Sequence, residues 1–261
     1  MAETSTQTFE FKAEIQQLLH ILSHSLYTHR EIFIRELVSN AADALDKARF
    51  KTIKGEPIVD SDLEFAIWIE LDENKKTFTI RDSGIGMSQE EMVQNIGTIA
   101  HSGTGEFLKQ MAVQQEAGLN LIGRFGVGFY SVFMAAERVE LTSRSADAAQ
   151  PAHVWSSDGQ GAYDIQPAGE TARGTTIKVY LREDAQEFCE KQRVESLIKK
   201  YSNFVPFPIR LNGEQINKIS AIWREPKAQV SEEQYNEFFK FIAVESDNPL
   251  TRLHFSADAP I

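Results

Sequence analysis

The strongest constraint on the fold is a run of four strand-like segments in the second half of the chain. Each has the composition of a β-strand, and only a short turn separates one from the next; they span residues 137–144, 152–157, 161–166 and 174–181. Strands joined by short turns are antiparallel, because a parallel connection needs a crossover of about a dozen residues or more. Two earlier strands, 63–71 and 77–82, flank an Asp-Glu-Asn turn. We therefore predict a mostly antiparallel sheet.

Helical periodicity appears on both sides of these strands, which places the chain in the α+β class. Apolar residues recur at helical spacing over residues 13–24, 30–49 and 189–203. Ser88, with Glu91 three residues later, predicts a capping box at the start of a short helix. Asn-Gly within residues 207–216 predicts a hairpin.

The composition changes near Trp223, where proline and charge replace apolar residues. We predict a first domain over residues 1–220 and a linker over 221–230. Residues 231–261 begin with a helical stretch and end abruptly, so we expect them to be the start of a second, truncated domain.

Charge, cysteine content and hydropathy indicate which partners and which compartment this chain fits. The 261 residues carry a formal net charge of -11, which disfavours a nucleic-acid partner because such surfaces are normally basic. The single cysteine, Cys189, fits a reducing compartment. No signal peptide is evident, and no apolar run approaches the roughly 18 residues that a membrane span needs. We expect a cytoplasmic protein without a membrane partner.

Four polar residues form one stripe along the helix at 30–49. Glu36, Asn40, Asp43 and Lys47 are spaced by four, three and four residues, so they share a narrow angular band that borders the apolar arc. Glu36 could act as a general base, and Asn40 offers a neutral oxygen to a magnesium ion. The alternative is a solvated helix edge, with Asp43 and Lys47 as an ordinary surface pair.

Two glycine-containing stretches are the other candidates for chemistry. Asp82 ends a strand and is followed by Gly84 and Gly86, where backbone could approach a flat ligand. Residues 121–131 carry three glycines before an apolar helix-like run over 129–135, which suits phosphate binding. The simpler interpretation of the first stretch is an Asp-Gly turn, and that of the second is a flexible loop. Residues 97–128 are rich in glycine and weakly periodic, so we predict a mobile segment.

In combination, these stretches resemble a known family. The segments EIFIRELVSNAADALDKARF, DSGIGMS, NIGTIAHSGT and IGRFGVGFYSVF are similar to the nucleotide-binding domain of the heat shock protein 90 chaperones, in their bacterial form. The resemblance covers about residues 8–220, and the tail resembles the start of that family's middle domain. It implies a two-layer α/β sandwich of the GHKL (Bergerat) ATPase type, with helices on one face of a twisted, mostly antiparallel sheet.

The resemblance also implies a role for individual residues. Glu36 would be the general base for ATP hydrolysis, tethered by Arg35, and Asn40 would bind Mg²⁺. Asp82 would accept the adenine amine, helped by Thr175 and by water near Gly86. Residues 97–128 would be a lid over ATP. The remaining nucleotide contacts would be Asp43, Met87, Asn95 and, around the terminal phosphate, Gly123, Phe125, Gly126, Val127, Gly128 and Phe129.

Two lid positions depart from the family pattern, because His101 replaces an expected lysine and Arg124 replaces a more usual glutamine. A largely neutral imidazole would contact phosphate more weakly.

The function implied is that of an ATP-dependent chaperone that binds ATP or ADP with Mg²⁺ and remodels client proteins. A full-length chain would form a homodimer through a C-terminal domain that this sequence lacks, and turnover in the fragment would be slow. The alternatives are a gyrase B- or MutL-type ATPase coupled to DNA, a histidine kinase, and a nucleotide-gated binding module with negligible turnover. His20, His24 and His29 lie in too short a segment for the dimerising domain that a kinase would need.

Overall fold

The structure is a computed structural model, and it describes residues 6–10, 30–96, 128–217, 222–243 and 247–254. The helix predicted at 13–24 lies outside the described residues, as does the predicted lid apart from Gly128. None of the described helices is long and apolar enough to cross a membrane.

The described strands form one sheet of nine, in the order β1-β6-β5-β4-β7-β3-β2-β8-β9. Neighbouring strands pair antiparallel, except that β2 and β8 are parallel. The strands are β1 (Gln7–Glu10), β2 (Ile67–Asp72), β3 (Thr77–Asp82), β4 (Ala136–Arg144), β5 (His153–Ser157), β6 (Ala162–Pro167), β7 (Gly174–Leu181), β8 (Ile209–Leu211) and β9 (Glu214–Gln215). The mostly antiparallel sheet predicted from the turns is confirmed.

The long first helix packs on one face of this sheet, which is the inner face. The helices are α1 (Ile32–Ile53), α2 (Gln89–Asn95), α3 (Lys191–Tyr201) and α4 (Glu232–Ala243), with 3-10 helices at Gly128–Met134, Glu183–Cys189, Ile222–Arg224 and Lys227–Gln229. The long helix α1 packs across β3 and β2 and also contacts α3 and the 3-10 helix Gly128–Met134. The helix-like run predicted from Phe129 is therefore present, but as a 3-10 helix.

Side-chain alternation gives the central strands an apolar inner face and a polar outer face. Ile80, Ile177 and Leu141 are aligned across β3, β7 and β4, and all three are buried. On the outer face the Arg81 guanidinium lies 4.1 Å from the centre of the Trp68 ring. The core thus lies on one side of the sheet, as expected for a two-layer sandwich.

The boundaries of the strands predicted from the sequence match the structure closely, with one exception, whereas β1 was not predicted. Strands β3 and β7 have the predicted limits, and the predicted Asn-Gly turn joins β8 to β9, with positive φ at Asn212 and Gly213. Strand β2 begins at Ile67 and not at residue 63. The reason is that the Ser83 side chain donates to the Glu64 carbonyl at 2.5 Å and accepts from the Ala66 amide at 3.3 Å, in place of a backbone ladder.

The packing of α1 depends on Phe33, whose ring is fully buried. It makes edge-on contacts with Phe78 of β3 and Phe188, at 5.5 and 5.1 Å between ring centres. We expect Phe33→Ala to lower the free energy of unfolding by about 3–5 kcal/mol, measured by urea denaturation. Phe50→Ala on the same helix is the matched control, because Phe50 is 57% exposed. A loss below about 1 kcal/mol for Phe33→Ala would contradict this view of the core.

Candidate functional site

A cavity of about 430 Å³ lies between α1, the inner face of the sheet and the turn that follows β3. Ten of the residues predicted as site residues line it: Glu36, Asn40, Asp43, Asp82, Gly86, Met87, Asn95, Gly128, Phe129 and Thr175. Arg35 lies behind Glu36, and the predicted residues Gly123, Phe125, Gly126 and Val127 lie outside the described residues. Stretches that are separated by up to about 140 residues in the chain thus meet around one cavity.

At one end of the cavity is the buried carboxylate of Glu36, which α1 presents beside Gly128. The Arg35 guanidinium donates to one carboxylate oxygen, Oε1, from Nε at 3.0 Å and from Nη2 at 2.7 Å. A Cβ on residue 128 would lie 2.5 Å from the other oxygen, Oε2. A side chain at position 128 would therefore displace the Glu36 carboxylate from the orientation in which Arg35 holds it.

The polar stripe of α1 continues along the cavity wall, where Asn40, Asp43 and Lys47 are exposed. The alternative interpretation, in which Asp43 and Lys47 are an ordinary surface pair, is not supported, because no ion pair joins these two described residues and both line the cavity. Their side chains are solvated on an open wall, where an exposed pair would contribute little stability. Lys47 is therefore a site residue that the sequence analysis did not assign.

At the other end of the cavity, three polar residues lie side by side on neighbouring strands. Asp82 of β3 is opposite Thr175 of β7, which is opposite Ser143 of β4, and all three are buried on the otherwise apolar inner face. The Ser143 hydroxyl donates to the Gly174 carbonyl at 3.0 Å, lies 2.9 Å from the Thr175 hydroxyl oxygen, and accepts the Met87 amide at 2.9 Å. Ser143 was missed, although its register with Leu141 places it on the inner face.

The turn after β3 contacts both α1 and the end of β4. A Cβ on residue 84 would lie 2.6 Å from Ala44 of α1, and the Ile85 amide donates to the Ala44 carbonyl at 2.9 Å. Gly86 has a φ of +62°, and a Cβ there would overlap the Arg144 carbonyl. Both glycines therefore permit close backbone approach, as the Asp-Gly turn suggested.

Short helix α2 forms the rim of the cavity. Its predicted capping box is present: the Ser88 hydroxyl accepts the Glu91 amide at 3.2 Å, and the Glu91 carboxylate accepts the Ser88 amide at 2.8 Å. Just beyond α2, the Ile96 carbonyl accepts a hydrogen bond from the buried Tyr130 hydroxyl. Ile96 and Gly128 both line the cavity.

Asp82 is only 7% exposed, and its burial has an electrostatic consequence. Backbone amides of Gly84, at 2.8 Å, and Thr175 donate to the carboxylate, and the guanidinium groups of Arg173 and Arg81 attract it. Desolvation outweighs these four influences and raises the pKa of Asp82 from 3.8 to about 7. A buried acid of this kind, facing a cavity, is typical of functional sites.

A buried acid at a strand end and a carboxylate held by an arginine, both in the lining of one cavity, are typical of a ligand-binding site. Residues 27–170 match the family described as "Histidine kinase-, DNA gyrase B-, and HSP90-like ATPase". This match covers more than half of the chain, which therefore belongs to that family. Residues 211–261 match the family described as "Hsp90 protein". The resemblance and the fold class predicted from the sequence are confirmed.

Individual relatives agree with both matches. The chain is 48% identical to a protein of Nitratidesulfovibrio vulgaris over 99% of its own length and 41% of the relative's. It is 51% identical to a protein of Desulfitobacterium hafniense over 98% of this chain and 42% of that one. It is 47% identical to a protein of Chlorobaculum tepidum over 99% of this chain and 42% of that one. All three are named "Chaperone protein HtpG", and the chain spans about two fifths of their length.

The raised pKa of Asp82 makes the stability of the fold depend on pH. Between pH 4 and pH 7 the folded state binds the proton more tightly than the unfolded state, so Asp82 increasingly destabilises the fold as pH rises. We expect the stability of Asp82→Asn relative to wild type to increase by roughly 3 kcal/mol between pH 5 and pH 8, measured by urea denaturation at each pH.

Asp158→Asn, in an exposed turn, controls for the loss of one negative charge. A stability difference between Asp82→Asn and wild type that is independent of pH would contradict the assignment of a buried, raised-pKa carboxyl.

Proposed function

We propose that this chain contains the ATP-binding and ATP-hydrolysing domain of an ATP-dependent chaperone. The observation that carries the proposal is that Asp82 and Glu36 line one cavity but are well separated in it. The turn after Asp82 contacts Ala44 of α1, and Glu36 is eight residues, or about 12 Å of helix, away from Ala44. A nucleotide needs an acceptor for its base at one end and a proton acceptor near its phosphates at the other. The family match supports this interpretation, and the chaperone name of the relatives supports the role in protein folding.

Adenine would bind at the sheet end of the cavity. The ionised Asp82 carboxylate would accept a hydrogen bond from the exocyclic amine, and the Thr175 hydroxyl lies beside it on the next strand. Ile80, two residues before Asp82, and its partner Ile177 on β7 also line the cavity and would contact the face of a flat base. Met87 and Asn95 would lie along the nucleotide.

The phosphates would lie towards Glu36, along the exposed wall of α1. The residues present fit a magnesium ion, because Asn40 offers a neutral amide oxygen one helical turn from the Glu36 carboxylate. When bound with the nucleotide, the ion would neutralise phosphate charge. By resemblance, Gly123, Phe125, Gly126 and Val127, outside the described residues, would join Gly128 and Phe129 around the terminal phosphate.

Glu36 would act as the general base that removes a proton from the attacking water. Arg35 holds Oε1, so the carboxylate presents Oε2 towards the cavity beside Gly128. Such a fixed orientation favours proton transfer, because the base must lie within hydrogen-bond reach of the water. Arg35 is thus a positioning residue for Glu36.

The proposal for the whole protein extends beyond the described site. We propose a nucleotide-binding domain over residues 1–220 with a lid at about 97–128, a linker over 221–230, and the start of a middle domain at 231–261. In a chain as long as the relatives, nucleotide turnover would drive the remodelling of client proteins by a homodimer. A cytoplasmic location is proposed from the single, reduced cysteine.

Calorimetry of ADP binding tests the assignment of Asp82. We expect micromolar, magnesium-sensitive binding by the wild type and at least about 30-fold weaker binding by Asp82→Asn, because a hydrogen bond to a charged group contributes about 2 kcal/mol or more. Asp158→Asn, outside the cavity, should bind as wild type. Near-normal affinity in the Asp82→Asn variant would mean that the base binds elsewhere.

Phosphate release under single-turnover conditions tests Glu36. We expect Glu36→Gln to reduce the rate of ATP hydrolysis by about 100-fold or more, while ADP affinity stays within a factor of three, since the amide keeps an acceptor for Arg35 but cannot take a proton. Hydrolysis at the wild-type rate by the folded variant would refute the base assignment.

A further inference from the structure

Arg173 is a fully buried arginine directly before β7, and neither the resemblance nor the proposed function assigns it a role. Its side chain is 2% exposed, and its guanidinium donates to backbone carbonyls on two sides. On one side Nη1 donates to the carbonyls of Ser83 and of Gly84, the latter at 2.7 Å. On the other side Nε donates to Val59 at 2.9 Å and Nη2 to Asp60 at 3.4 Å.

This geometry requires an arginine. A guanidinium carries five N–H donors in one plane, so it can bridge carbonyls on opposite sides, whereas the single ammonium group of lysine cannot reach both sets. The side chain also lies against the Phe65 ring, 5.5 Å from its centre. Burying a charge is costly unless hydrogen bonds compensate, and here four carbonyls do so. Such an arrangement fixes the positions of the two backbone segments that carry these carbonyls.

Two of the four carbonyls that Arg173 holds, those of Ser83 and Gly84, belong to the turn that directly follows Asp82. Gly84 contacts Ala44 of α1 so closely that no Cβ fits, and Gly174, next to Arg173, has a φ of +118° and lies against the Asp82 carbonyl. The turn therefore connects the base-binding end of the sheet to the helix that carries Glu36. A shift of the turn would change the width of the cavity.

We propose that Arg173 is a positioning residue for nucleotide binding, which holds the Ser83–Gly84 turn so that the Asp82 carboxylate faces the base. This inference rests on the proposed function. Arg173 does not line the cavity, so it acts through Asp82 and the turn and not by contact with the ligand.

Arg173 has a second influence on Asp82, through its charge. Together with Arg81 of β3, it attracts the buried carboxylate and so opposes the rise in the pKa of Asp82 that burial causes. Arg173 is itself attracted by the Asp60 carboxylate, which accepts the Arg173 amide at 2.9 Å and also lies 3.6 Å from Arg144. The other charged groups that line the cavity are Glu36, Asp43 and Lys47 of α1 and Glu91 of α2. Removal of the Arg173 charge should therefore move the pH at which nucleotide affinity falls to a higher value.

The test is ADP binding by calorimetry between pH 5.5 and pH 8.5, with Arg173→Met and Arg173→Lys compared with wild type. We expect Arg173→Met to bind ADP at least tenfold more weakly at pH 7, with the midpoint of its pH dependence raised. Arg173→Lys keeps the charge but loses the bridge, so we expect an affinity at least threefold weaker than wild type with an unchanged midpoint.

Arg182→Met is the matched control, because Arg182 also donates to a backbone carbonyl, that of Met134, but lies at the far end of β7 from Thr175. It should lose stability in urea without changing ADP affinity or its pH midpoint. Wild-type affinity and midpoint in a folded Arg173→Met variant would overturn the inference; if that variant does not fold, wild-type affinity in Arg173→Lys would overturn it. A wild-type chain that binds no ADP would overturn the proposed function and the inference with it.

Discussion

The burial of the Asp82 carboxylate at the end of an apolar sheet face is the constraint on which much of the surrounding structure depends. A charged group there is disfavoured by desolvation, and every neighbouring feature reduces that penalty. The Gly84 amide donates to it from the turn, the Thr175 amide donates from the next strand, and Arg173 lies behind the turn. Close contacts at Gly84 and Gly174 then follow, because the two backbones must approach for these groups to meet.

The Glu36 end of the site is formed by α1, the helix that covers the sheet. Phe33 and Leu37 bury α1 against the core, and Glu36 lies between them in sequence, on the border of the buried face. Its carboxylate is therefore partly shielded from water and needs Arg35 to hold it. The position of the stripe beside the apolar arc, which is odd for an isolated helix, places each of its side chains on a cavity wall.

Sequence reasoning predicted the local structure well, because β3, β7, the capping box at Ser88 and the Asn-Gly hairpin depend on short-range signals. The stripe and the Asp-Gly turn were each ambiguous alone, and only the family resemblance joined them into one site. Ser143 and Arg173 were missed for a physical reason. Their importance depends on register and on carbonyls about 30 to 115 residues away in sequence, which no local pattern encodes. Lys47 was missed because i,i+4 spacing made a surface pair the simpler interpretation.

The existence of the cavity itself can be traced to the side chains of α1. In its first half, Phe33 and Leu37 are large enough to fill the space above the sheet, and the Phe33 ring contacts Phe78 directly. One to two turns later Leu45 packs into the core, but the residues of α1 that line the cavity are Ala41 and Ala44, whose methyl side chains fill little space. A space therefore remains between α1 and the side chains of Ile80 and Ile177, and the polar strand residues Asp82 and Thr175 also line it. The change from large to small side chains along one helix thus places an apolar-walled space, the size of a nucleobase and more, directly beside the Asp82 carboxylate.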